Sequence, residues 1–187
     1  MKLFLALQVA LAALATAQVE DVSASCTKTL PGTISLTVVS ATSTVTQLPP
    51  LRLMSTDVFS VSSLVVCSDC GLPALNWTLT GGVLRATSSP NLYYNRFVEA
   101  NTSPTFALSG FATPPQYPIY CAVPAAVGSK KGRLALRGTT KEFYTCNNLI
   151  PTFAPTDRKD VFWKVDPNNA TYPRGDCKKA SILYEIL

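Results

Sequence analysis

The chain has 187 residues, with 16 Lys and Arg against 11 Asp and Glu, a formal charge of +5. Charged residues make up 14% of it and hydrophobic residues 47%, a balance that excludes an intrinsically disordered chain. Histidine is absent, which excludes Ser-His-Asp and Cys-His nucleophilic sites, HExxH zinc sites and imidazole proton shuttles.

Met1 and Lys2 form a short basic start. Positions 3–14 are apolar apart from Gln8, and Ala15-Thr16-Ala17 is a small-x-small sequence. This is the pattern of a secretory signal peptide over residues 1–17, with cleavage expected after Ala17. The apolar run is short of the roughly 20 residues that a membrane span needs. The apolar end, 180–187, is shorter still and carries Glu185. Residues 18–187 are therefore read as one secreted domain with no membrane attachment once the signal is removed.

Cys26 comes first of six cysteines, followed by Cys67, Cys70, Cys121, Cys146 and Cys177. An even number in an exported chain reads as disulfides, and the spacing leaves the connectivity open. Cys146–Cys177 is the preferred pair; closing a loop of about 31 residues is worth about 3–4 kcal/mol. The Cys67-Ser68-Asp69-Cys70 spacing also occurs in redox motifs, but there is no second CxxC and no βαβ context for one.

The first strand signal lies at Ile34, Leu36 and Val38, which alternate with Ser35, Thr37 and Val39. Pro49-Pro50 marks a loop or strand edge. A hairpin follows, with Gly81-Gly82 between Asn76-Trp77-Thr78-Leu79-Thr80 and Val83-Leu84-Arg85-Ala86. Two glycines accept the positive φ angles of a two-residue turn. That register puts Trp77, Leu79, Leu84 and Ala86 on one face, and Asn76, Thr78 and Arg85 on the other. Tyr93-Tyr94-Asn95-Arg96-Phe97 comes next. Alternation sends Tyr93 and Tyr94 to opposite faces, so one of them is a candidate glycan contact, an aromatic face being able to stack on a sugar ring. A core aromatic is the competing reading.

Pro114-Pro115 and Pro118 mark further loops or edges. Lys130, Lys131 and Arg133 form a basic cluster, and Leu134 and Leu136 alternate with Arg133, Ala135 and Arg137. Residues 148–160, with Pro151 and Pro155, read as a loop. Val161, Trp163 and Val165 alternate as a strand, residues 166–179 read as another loop, and Ile182, Tyr184 and Ile186 form a closing strand. Three N-x-S/T sequons, at Asn76, Asn101 and Asn169, are N-glycosylation candidates in an exported chain; the hairpin register puts Asn76 on the wet face. The expected fold is all-β: a single antiparallel, disulfide-stabilised sandwich or barrel, with a β-trefoil-like arrangement as the alternative.

The one enzyme class that needs no histidine is a glycosidase with two carboxylates. Asp160, Asp166 and Asp176 cluster in sequence near Trp163, but solvated loop carboxylates explain them as well. No catalytic residue, metal or cofactor site emerges, and no nucleic-acid-binding motif. The basic clusters favour at most an acidic polysaccharide or anionic surface.

Taken in order, the leader, early Cys26, the stretch 31–40, the Trp77 hairpin, Gly132-Arg133-Leu134-Ala135-Leu136, Phe143-Tyr144-Thr145-Cys146, Phe162-Trp163-Lys164-Val165 and Gly175-Asp176-Cys177 resemble the small secreted fungal cell wall proteins of the PhiA type. The resemblance spans most of residues 18–187. It implies a secreted, wall-associated, non-enzymatic protein linked to asexual development, with cell wall polysaccharide as a partner. The alternatives are a secreted carbohydrate-binding or effector-like module and, behind it, a small glycoside hydrolase.

Overall fold

The computed structural model describes residues 26–40, 47–56, 60–72, 75–88, 90–110, 114–147, 158–166 and 177–187. These residues contain twelve strands and no helix. They are β1 Ile34–Ser40, β2 Gln47–Ser55, β3 Val61–Val66, β4 Asn76–Thr80, β5 Val83–Ser88, β6 Asn91–Asn95, β7 Thr105–Leu108, β8 Tyr120–Pro124, β9 Lys131–Leu136, β10 Phe143–Asn147, β11 Lys159–Trp163 and β12 Cys177–Ile186.

The sheet runs β1-β4-β5-β6-β7-β3-β11-β10-β12 and returns to β1, closing a nine-strand antiparallel barrel. Closure comes from β12, whose Ala180–Ile186 half lies along the whole of β1, from Ile34↔Ile186 to Ser40↔Ala180. A closed ring removes exposed edges that would otherwise template aggregation. Strand β2 runs from β1 to β3 as an additional link, and β9 pairs with Leu183–Glu185 of β12 and carries β8 beyond it. This closure selects the barrel over the sandwich. The β4–β5 hairpin belongs to the ring while β9 branches off it, so the two leucine-strand motifs do not repeat in the manner of a trefoil.

The expected hairpin forms in the expected register, with Thr80↔Val83, Leu79↔Leu84 and Trp77↔Ala86. Gly81 and Gly82 have φ of 57° and 83°, as a type I′ turn requires. Trp77, Leu79, Leu84 and Ala86 are buried, and Asn76 is exposed. Inside the barrel the Trp77 ring meets Phe106 of β7 edge to face, centroids 5.5 Å apart, beside Ile34, Leu53, Leu64, Phe143, Val161 and Ile182. Side chains of nearly every ring strand therefore meet in one core.

Asn95, fully buried, sits where the β5–β6 ladder ends. Its Oδ1 accepts from the Leu84 amide at 2.8 Å, and its Nδ2 donates to the Tyr117 carbonyl at 2.9 Å. A buried amide satisfied on both sides costs little and fixes the proline-rich stretch 114–119 against the barrel. Pro49 and Pro50 lie inside β2, at the irregularity where the β1–β2 register shifts; a bulge tolerates their missing N–H groups. Two stretches read as the ends of loops are strand. Lys159 and Asp160 already belong to β11, and Lys178 and Lys179 to β12, because pairing with β10 recruits them.

All six cysteines pair, as Cys26–Cys121, Cys67–Cys70 and Cys146–Cys177. Their sequence separations are 95, 3 and 31. Cys146 and Cys177 are directly opposite partners on β10 and β12. Loop-closure entropy predicts that double Cys→Ser replacement costs about 4–5 kcal/mol for Cys26–Cys121, about 3–4 for Cys146–Cys177 and below about 2 for Cys67–Cys70. Urea titration of the three variants checks that order.

The Tyr120 hydroxyl is buried with no hydrogen-bond partner among the described residues, and burial pushes its pKa well above the ordinary tyrosine value. Ionisation is thus easier in the unfolded chain than in the folded one. The stabilisation that follows from this is complete below the unfolded value of about 10 and is lost as pH rises above it. Tyr120→Phe is expected to hold or raise the urea midpoint at neutral pH, since an unsatisfied buried hydroxyl costs about 1–3 kcal/mol. It is also expected to flatten the loss of stability predicted for the parent protein above pH about 10.

Candidate functional site

An open groove of about 1110 Å³ lies over the outward faces of β1, β12 and β9. Strand alternation builds its floor. Ile34, Leu36 and Val38 point into the core, so Ser35, Thr37 and Val39 point out. Ile182 and Tyr184 are buried, so Leu183 and Glu185 face the same way as the β1 hydroxyls. Ladder register then fixes two rows across three strands. Thr37, Leu183 and Arg133 form one, and Ser35, Glu185 and Lys131 the other.

One wall comes from a tight reversal after β9. Arg137 and Gly138 have φ of 50° and 79°, and Leu136 and Thr139 bridge across them. Two consecutive left-handed residues make a turn of the I′ kind, which folds residues 139–142 back beside the floor. Thr139, Thr140, Lys141 and Glu142 line this side. Glu142 is anchored through its carbonyl, which accepts from the Lys164 amide at the end of β11. The opposite wall is the exit of β8, from Val123 to Ala125.

Gly132 is what lets β8, β9 and β12 meet beneath the groove. A Cβ there would collide with the Val123 carbonyl oxygen and stand 2.7 Å from the Tyr184 ring and 2.8 Å from the Pro124 Cα. Tyr184 lies directly opposite Gly132 in the β9–β12 ladder, and its burial pushes its hydroxyl pKa up.

The groove carries both signs of charge. Lys131 and Glu185 are 3.0 Å apart, with side chains 67% and 48% exposed, a pair that adds little to stability. Arg133, Lys141 and Glu142 have no ion-pair partner among the described residues. The chemistry on offer is hydroxyl, guanidinium, ammonium and carboxylate hydrogen bonding around the apolar patch of Leu183 and Val39. No group of three or more potential metal ligands occurs among the described residues.

Of the residues singled out in the sequence, Lys131 and Arg133 line the groove, while the candidate tyrosines, carboxylates and sequons lie elsewhere. Tyr93 and Tyr94 do point to opposite sides, but both are buried, at 6% and 9% exposure. Tyr93 faces Ala86 and Leu108 across its ladders, while Tyr94 lies under the Arg85 guanidinium at 5.2 Å. Neither ring presents a free face to a sugar, so the candidate glycan contact is corrected and the competing reading of buried aromatics describes both. Phe97, 49% exposed, is the exposed large aromatic among the described residues. It meets Tyr117 at an interplanar angle of 64° and carries the Arg137 guanidinium at 4.4 Å, so no flat aromatic platform is formed there.

Asp160 is held by Arg158, whose Nε and Nη2 both donate to its Oδ1 at 3.1 and 2.8 Å. Asp166 is exposed, and Asp176 lies outside the described residues. Asn76 is exposed at the start of β4. Asn101 is half-buried in a left-handed turn (φ 63°), its Oδ1 accepting from the Asp166 amide. Asn169 lies outside the described residues. Sequence reasoning missed the groove because its residues are spread over 35–39, 123–142 and 183–185. The legible signals were the outward parity of Ser35, Thr37, Arg133 and Glu185 and the basic cluster at Lys130-Lys131.

Compared with protein-family models, curated proteins and solved structures, the chain matches none.

Gly132→Ala is expected to destabilise the protein by about 1–3 kcal/mol or more, because backbone atoms rather than a flexible side chain must give way. A lowered thermal midpoint, with near-ultraviolet circular dichroism reporting the displaced Tyr184, is the check.

Proposed function

We propose that this is a secreted, non-catalytic structural protein of a fungal cell wall or cell surface, retained there by non-covalent contacts. The observation that supports the reading most directly is the pairing of all six cysteines around a closed barrel. Disulfides form and persist in oxidising, extracellular settings, and this accords with the leader-like residues 1–17 and with the PhiA-type resemblance. The wall and the link to asexual development rest on that resemblance. A chain held in a wall must resist unfolding and proteolysis without a cytosolic supply of chaperones. Barrel closure with cross-links at separations of 95 and 31 residues suits that demand.

The absence of histidine and the Arg158-bound state of Asp160 support a non-catalytic role. Glycosylation at Asn76 and Asn101 is part of the proposal.

Fractionation of a filamentous fungus expressing the tagged chain tests the reading. Mature protein beginning at Gln18 is expected in the wall fraction, released by hot detergent and shifted in mass by a glycosidase that removes N-glycans. Recovery from culture medium alone would overturn wall retention.

A further inference from the structure

We infer that the groove over β1, β12 and β9 is a binding site for a stretch of uncharged polysaccharide, and that it is the contact retaining the protein in its matrix. The inference deepens the reading above and rests on it for the source of the ligand.

The chemistry of the lining selects the ligand class. Sugar hydroxyls donate and accept at once, so a site for them needs both kinds of group. Planar, charged side chains are the strongest partners, because hydrogen bonds to ionised groups are worth roughly twice neutral ones. The groove supplies Arg133 and Lys141 as donors, Glu142 as acceptor, and the Thr37 and Ser35 hydroxyls as both. Neither Arg133, Lys141 nor Glu142 is ion-paired within the described residues. Their capacity is therefore open to a ligand, whereas Glu185 is engaged with Lys131 at 3.0 Å.

Mixed charge argues against the acidic polysaccharide that the basic cluster alone suggested. A polyanion along this floor would meet Glu142 and Glu185, two carboxylates set among the three cations. Like charges placed together disfavour a partner. A neutral chain meets no such penalty. Shape agrees with this: the cavity, about 1110 Å³, exceeds the roughly 300–1,000 Å³ of small-ligand sites, and it is open to solvent, as an extended polymer requires. Leu183 and Val39 give an apolar strip against which the C–H face of a sugar can rest.

Rigidity makes the arrangement selective. Floor residues sit on three strands whose register is fixed by the barrel's closing ladder, and the wall is held by the Arg137-Gly138 turn and by the Lys164 amide. Side chains on strands hold their geometry better than side chains on loops.

The test is retention of the purified mature protein on insoluble β-glucan and on chitin, with an immobilised polyuronate as the charged counterpart. Each is washed at low salt and at about 1 M NaCl, where the Debye length is about 3 Å. Expected is binding to β-glucan or chitin that survives high salt, the polymer retained more strongly naming the source. Arg133→Ala and Glu142→Ala are each expected to weaken it about tenfold, the loss of one charge-assisted hydrogen bond. Arg96→Ala, at an exposed position that is not part of the groove lining, serves as a control and is expected to bind as the parent does. Matching urea midpoints establish that the variants are folded; if either groove variant is not, Lys141→Ala replaces it. Binding to the polyuronate alone, lost in salt, overturns the proposal, as does binding to no polymer or undiminished binding by the groove variants. Fractionation into medium with intact polymer binding would instead sink the wall reading and leave the site standing.

Discussion

Everything in this molecule depends on one antiparallel ladder, the pairing of the last strand with the first. β12 reaches back across the whole sequence to lie along β1 from Ile34↔Ile186 to Ser40↔Ala180. Without it the other ring strands form an open, twisted sheet whose two ends expose unpaired N–H and C=O groups. With it the inward side chains of both strands, Ile34, Leu36, Val38, Ile182 and Tyr184, join the common core. Among the described strands it is the pairing of largest sequence separation, so its loop-closure cost is large and its formation is expected to be slow.

The disulfides bear on that cost. Cys146–Cys177 joins β10 to the beginning of β12. Cys26–Cys121 ties the segment before β1 to β8, which pairs with β9 and through it with β12. Two covalent links therefore hold neighbours of the closing strands at both ends of the sequence. Segment 27–30 reinforces the second link, bonding to Ala122, Leu79 and Gly82 through its backbone. The short Cys67–Cys70 bridge closes a local turn instead, packed on Val65 and Met54.

The same ladder makes the groove. Its floor is the outward parity of the closing strands, so the alternation that fills the core with Leu36 and Ile182 presents Thr37 and Leu183 to solvent. Core and site are two faces of one register, and a slip of one residue would exchange them. Gly132 limits the arrangement further, since a side chain there would separate β9 from its neighbours on both sides.

Sequence by itself determined what depends on near neighbours. Period-two alternation marked β1, β9, β11 and the end of β12, and the paired glycines set the β4–β5 turn and its register, because a two-residue turn leaves no freedom in which residues face each other. The Cys146–Cys177 pair was legible from its spacing, a loop of 31 residues of moderate closure cost. Only the tertiary structure decided what depends on contacts far apart in the chain. Strand order around the ring, the choice of barrel over sandwich or trefoil, and the Cys26–Cys121 disulfide follow from long-range pairing that local pattern does not encode. Tyr93 and Tyr94 show the limit most plainly. Alternation correctly sends them to opposite faces, but whether the outer face is wet depends on what covers it, and Arg85 from the adjacent strand covers Tyr94. The groove was hidden likewise: Thr37, Arg133, Glu142 and Leu183 acquire a common purpose only when closure of the barrel sets them side by side.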